Sequence, residues 1–166
     1  MPNNTVHPSI PEVVETSSLP TFDYQDLSKG DKIGAGGEAN VSECTLTVDG
    51  ESYTLALKEP RLEGTIQTDI FERYEEEAET WANLDDHQNI VSVHGYGTKS
   101  VPWIALEYMD GGTLADKIGD ITLEEGLWMA GRIAEGIRYG HRHGIAHLDI
   151  KPNNVLLRST PSEKWD

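Results

Sequence analysis

The segment His147-Leu148-Asp149-Ile150-Lys151-Pro152-Asn153-Asn154, leading directly into the apolar run Val155-Leu156-Leu157, constrains this chain more tightly than any other. Pro152 makes it a loop rather than a helix or a central strand, and the apolar run after it reads as a strand. One short loop therefore carries a carboxylate, an ammonium and a side-chain amide. Asp149 can accept a proton from an attacking hydroxyl, Lys151 can stabilise a phosphoryl group in transfer, and the amide oxygen of Asn154 is a hard ligand suited to Mg²⁺. The plainer alternative is a proline turn after a helix, and what lies upstream decides between the two.

Upstream, Ile33-Gly34-Ala35-Gly36-Gly37-Glu38-Ala39-Asn40-Val41 is a glycine-rich turn that leaves one strand and enters the next. Backbone without side chains can come close to phosphate oxygens and aim N–H groups at them, although glycine turns also close ordinary hairpins. A dinucleotide fold needs a helix directly after the glycines and a P-loop needs Gly-Lys-Ser/Thr; here a strand follows, which excludes both. Asp49-Gly50 is a hairpin signal and Tyr53 to Lys58 reads as a further strand, so an antiparallel sheet is expected from about residue 31. Lys58, ending Ala56-Leu57-Lys58, is suited to neutralise phosphate under the turn, with a carboxylate from a neighbouring helix to hold it. Taken alone it would be a strand-end surface lysine.

That helix is expected between Thr65 and Leu84, where Ile70, Tyr74, Ala78 with Trp81, and Leu84 recur at helical spacing. Glu72, Glu75, Glu76 and Glu79 take its other faces. Asn89 to Val93 and Trp103 to Glu107 read as two more strands around a turn region holding Gly95, Gly97 and Pro102. Thr113 with Asp116, and Thr122 with Glu125, have capping-box spacing. The second opens a long helix from Leu123 to about His141, with Leu127, Ala130, Ala134 and Ile137 expected inward. Gly126, Gly131, Gly136 and Gly140 each cost that helix about 0.5 to 1 kcal/mol relative to Ala, so it needs tertiary support.

Composition narrows the partners. With 29 acidic against 13 basic residues the net charge is −16, which disfavours nucleic acid and anionic lipid. The acids are spread along the chain, as on a solvated surface adapted to high salt or on a merely acidic mesophilic protein. Cys44 is the single cysteine, so there is no intrachain disulfide and a reducing compartment is expected. No apolar run approaches the roughly 20 residues of a membrane span, and the polar, proline-bearing start lacks a signal-peptide core. The expectation is a cytoplasmic chain without a membrane partner. His141, His143 and His147 lack the companion Cys or acid set that zinc would need.

Taken in order from about Leu27 to Leu157, these motifs resemble the Ser/Thr-type protein kinases of the eukaryotic-like class. The resemblance implies an α+β, kinase-like fold: a five-stranded antiparallel N-lobe sheet with one helix, then the first part of a helical C-lobe. It implies a disordered leader over residues 1–24, an N-lobe and hinge over 25–110, and an incomplete C-lobe over 111–166. The cofactors implied are ATP and Mg²⁺, and the activity is phosphoryl transfer to Ser/Thr hydroxyls of an unidentified protein.

Carried onto matching positions, Gly34 and Gly36 head the glycine loop, while the family's third glycine falls on Ala39. Lys58 matches the lysine on the α and β phosphates, and Glu77 its helix partner, with Glu76 the alternative because the stretch from Leu84 to Ile90 is one residue longer than is usual for the family. Leu106 resembles the gatekeeper, and Glu107 and Met109 the hinge positions that pair with adenine. Ile33, Val41, Ala56 and Leu156 would sandwich the base. Asp149 matches the catalytic base, Lys151 the phosphate-binding lysine of Ser/Thr kinases and Asn154 the Mg²⁺ ligand. The family's His-Arg-Asp reads His-Leu-Asp, and without that arginine Leu148 implies a kinase not switched by a phosphorylated activation loop.

After Leu157 the sequence carries no Asp-Phe-Gly or Asp-Trp-Gly. A C-terminally truncated kinase domain is therefore expected, with a complementing C-lobe polypeptide as a partner. A nucleotide-holding module without turnover and a remnant without a stable fold are the competing readings.

Overall fold

The computed structural model describes residues 19, 21–35, 39–61, 69–84, 87–98 and 101–159. Most of the expected leader, and Gly36, lie outside the described residues. Five strands form one antiparallel sheet: β1 (Leu27–Ala35), β2 (Ala39–Val48), β3 (Glu51–Pro60), β4 (Val93–Gly97) and β5 (Trp103–Glu107), in the order β1-β2-β3-β5-β4. Helix α1 (Asp69–Ala82) follows β3, and α2 (Leu123–Arg142) follows β5. Asp49 and Gly50 join β2 to β3 with φ of 53° and 84°, the paired left-handed residues of a tight hairpin whose twist matches the strands. The α+β class and the five-stranded sheet are those expected, with β1 starting four residues earlier than about residue 31.

Leu55, Ala56 and Leu57 are all buried, because both faces of the sheet are covered. Leu55 and Leu57 join Cys44, Leu46, Trp103 and Ala105 on one face, with Leu19, Phe22 and Leu27 packed over them. Ala56 joins Ile104, Leu106 and Val93 on the other, under Tyr74 and Ala78 of α1. Glu59 is also buried on β3, where Tyr24 donates to its Oε1 at 2.7 Å and Lys29 pairs with its Oε2. The Tyr24 phenol is pushed up to about 12, first by that hydrogen bond and then by burial.

Two sequence expectations are corrected. The fourth strand is Val93–Gly97 rather than Asn89–Val93, so Gly95 and Gly97 lie in a strand, not a turn. A Cβ on Gly95 would stand 2.9 Å from the Phe22 ring and one on Gly97 2.7 Å from the Trp103 indole, so these glycines make room for aromatics. Asn89 instead docks on α2, donating from Nδ2 to Glu135 Oε2 at 3.3 Å. In α2, Leu127, Ala130 and Ala134 are exposed and only Ile137 is half-buried; the buried positions are Gly136 and Gly140. The bare backbone at Gly136 lets the Asn89 carbonyl approach, with a Cβ there 2.8 Å from that oxygen. Both capping boxes form, at Thr113/Asp116 on a 3₁₀ turn and at Thr122/Glu125 on α2.

The segment after the catalytic-type loop returns to the end of β5. Gly111 N–H donates to Leu157 O, Leu157 N–H to Gly112 O and Leu114 N–H to Val155 O, each at 2.8 Å. Among the described residues no helix is long and apolar enough to cross a membrane.

Candidate active site

The sheet register sets one row of residues across four strands. Gly34 on β1 faces Val41 on β2, Val41 faces Lys58 on β3, and Lys58 faces Ile104 on β5. Strand alternation puts Lys58 on the side of the sheet that α1 covers. There its Nζ lies 2.5 Å from Oε1 of Glu77, in the middle of α1. Glu76 is exposed, so of the two carboxylates it is Glu77 that meets the lysine. The lysine side chain is 19% exposed and the glutamate 39%, so the pair faces partly into solvent from a largely apolar wall.

Two residues that sequence reasoning treated only as helix core complete this corner. The Lys58 ammonium lies 5.4 Å from the centroid of the Trp81 ring and 5.6 Å from that of Tyr74. The signal was present in their spacing: Tyr74 and Trp81 stand three before and four after Glu77, on the same helix face.

Two and three register steps from Lys58, Ala56 pairs with Leu106 and Leu55 with Glu107. Ala56 and Leu106 are buried, whereas Ile33 and Leu156 remain 45% and 42% exposed. A Cβ on Gly34 would make only an ordinary 3.6 Å contact with Val41, so the protein's own packing does not demand glycine there. The Glu107 N–H is spent on Ser92 O at 2.9 Å, while among the described residues the Met109 N–H takes no partner. Arg158 pairs with the Glu107 carboxylate, and Ser159 bonds Asp110 through both its N–H (2.7 Å) and its hydroxyl. These two ties between the hinge and the end of the catalytic-type loop had no motif to reveal them.

In the loop, Asp149 N–H donates to His147 O at 2.9 Å and to His147 Nδ1 at 3.3 Å, closing a three-residue turn over Leu148 at φ 59°. Lys151 Nζ donates to Asp149 Oδ2 at 2.8 Å and Asn154 Nδ2 to the same oxygen at 2.9 Å. Asn154 Nδ2 also bonds the Asp149 carbonyl at 2.9 Å. The Lys151 bond first, then that of Asn154, hold the Asp149 carboxyl below its ordinary range, so it is ionised at neutral pH. Both bonds fall on Oδ2, leaving Oδ1 to accept a proton. With its amide nitrogen committed, Asn154 has its oxygen left for a cation. Among the described residues no three His, Cys, Asp or Glu side chains gather into a metal cage.

A family model described as the protein kinase domain matches residues 27–164. Serine/threonine-protein kinase PrkC of Bacillus subtilis is 34% identical over 130 residues, which is 75% of this chain and 19% of that protein. Serine/threonine-protein kinase PknJ of Mycobacterium tuberculosis is 37% identical over 105 residues, 61% of this chain and 18% of the relative. PknB of Mycobacterium leprae is 29% identical over 144 residues, 81% of this chain and 22% of its own length. The chain thus spans about a fifth of the length of the curated relatives it matches.

Proposed function

The chain belongs to the protein kinase family, and from that premise we propose that it binds Mg·ATP under the β1–β2 turn for transfer to protein Ser/Thr hydroxyls. The observation that carries this reading is the Lys58–Glu77 pair at 2.5 Å, in register with Gly34 and Val41. Bound Mg·ATP supplies the phosphoryl group. Lys58 offsets charge on the α and β phosphates, and Glu77 keeps its ammonium in place. The open Met109 N–H and the Glu107 carbonyl pair with adenine, below the gatekeeper Leu106, while Ile33, Val41, Ala56 and Leu156 close on its faces. Asn154 Oδ1 would be the protein oxygen that holds the cation. Asp149 Oδ1 takes the proton of the attacking hydroxyl, and Lys151 moves from Asp149 to the charge that builds on the transferring group.

Transfer also calls for a metal-binding carboxylate of the Asp-x-Gly kind beside Asn154. The reducing setting suggested by the lone Cys44 supports a cytoplasmic location, and the net charge of −16 supports protein rather than nucleic acid or lipid as the substrate class.

Transfer of labelled γ-phosphate to a generic protein substrate tests this against nucleotide holding without turnover. Asp149→Asn is expected to keep Mg·ATP binding and lower transfer about 100-fold or more, whereas Lys58→Met is expected to weaken binding about 10- to 100-fold and to lower transfer with it. Binding with no transfer, even when the chain is mixed with a kinase C-lobe fragment, would leave a nucleotide-holding module.

A further inference from the structure

We infer that Tyr74 and Trp81 are positioning residues, which hold the Lys58 ammonium in its phosphate-facing place and thereby set the affinity for Mg·ATP. This rests on the nucleotide reading of Lys58 given above. The ammonium lies within 6 Å of both ring centroids, at 5.6 Å and 5.4 Å, the range over which a ring face attracts a cation. Tyr74 is buried and Trp81 packs on the Ala56 and Ile104 cluster, so both rings are fixed before any ligand arrives.

The two means of holding Lys58 differ in what they leave over. Glu77 holds the lysine with a full negative charge, which cancels most of its field beyond the pair. A ring face holds a cation through its quadrupole and carries no net charge, so the positive charge stays available to phosphate. Glu77 is also the more exposed partner, with a side chain 39% open to solvent and ions. The rings thus supply a hold on Lys58 that neither screens its charge nor weakens strongly with salt.

Tryptophan fluorination tests this without changing shape, because each fluorine draws negative charge from the ring face. The full chain is produced with tryptophan, monofluorotryptophan and difluorotryptophan, and Mg·ATP affinity is measured by calorimetry beside the melting temperature. Affinity is expected to fall stepwise, by about three- to tenfold over the series. The same series in Trp81→Phe is expected to be flat, which removes the other tryptophans as the cause. Equal slopes in the two backgrounds, or no slope in either, would overturn the inference.

If the chain binds no Mg·ATP, the nucleotide reading fails on its own, and the melting temperatures still decide the ring contact. A contact with Lys58 gives a stepwise fall, beyond that seen in Trp81→Phe, which disappears in Lys58→Met, and persistence of that excess there would show the ring acting by packing alone.

Discussion

Leu148 stands at φ 59° with 94% of its surface exposed, a bulky residue in left-handed backbone with nothing buried in return. Such a conformation costs about 1 to 2 kcal/mol for a residue with a Cβ, and Asn adopts it more readily. Leu148→Asn is expected to raise the stability by about 1 kcal/mol in urea denaturation; a loss would mean that the side chain has a contact that matters. Tyr24 sits at the opposite limit, its hydroxyl tied to the buried Glu59. The fold holds the neutral phenol, so this contribution is complete below the ordinary value of about 10 and is lost as pH rises through about 12. Tyr24→Phe should therefore lower the melting temperature at neutral pH and flatten its alkaline decline. An unchanged alkaline decline would show that the bond contributes nothing. Single residues were unevenly legible in the sequence. Lys58, Asp149, Lys151 and Asn154 sit in local motifs that name them, whereas Glu59 depends on a contact 35 residues away with Tyr24 and has no local signal.

At the scale of elements, α2 shows how glycine can serve and burden one helix. Space around Gly131 is open, so a Cβ there meets nothing within 4 Å, while one on Gly136 strikes the Asn89 carbonyl at 2.8 Å. Gly131→Ala is expected to add about 0.5 to 1 kcal/mol of stability, and Gly136→Ala to remove about 1 to 3 kcal/mol by displacing the 87–90 loop. Urea midpoints of the two variants check both signs, and equal effects would refute the docking of that loop on α2. Capping boxes, the Asp49-Gly50 hairpin and α1 were readable because each is specified within a few residues. The fourth strand was not. Asn89 to Val93 has strand-like composition, but its first residue, Asn89, is spent on contacts with Glu135 and Gly136, and Gly95 and Gly97 pair in β4 because Phe22 and Trp103 need their space. The inward face of α2 was misassigned for the same reason. Its apolar residues suggested one face, and the partner loop selected the glycine face.

For the whole molecule, a net charge of −16 means that the folded chain repels itself. Raising ionic strength from about 0.01 M to 1 M shortens the screening length from about 30 Å to 3 Å. The melting temperature is therefore expected to rise with molar KCl, and a flat or falling curve would remove the salt-adapted reading of the surface. Motif order made the family and the α+β class legible from sequence, because each motif is tied to a fixed element of the fold. How the two ends of the site are joined was not, since Arg158 with Glu107 and Ser159 with Asp110 meet across about 50 residues of chain.

The assembled Lys58–Glu77 corner is tested most directly by calorimetric titration of Mg·ATP into the full chain and into Lys58→Met. One saturable site is expected, weakened about 10- to 100-fold by the substitution, the range for loss of a charged contact. Equal binding by the two proteins, or no saturable heat in either, would contradict a nucleotide site built on Lys58.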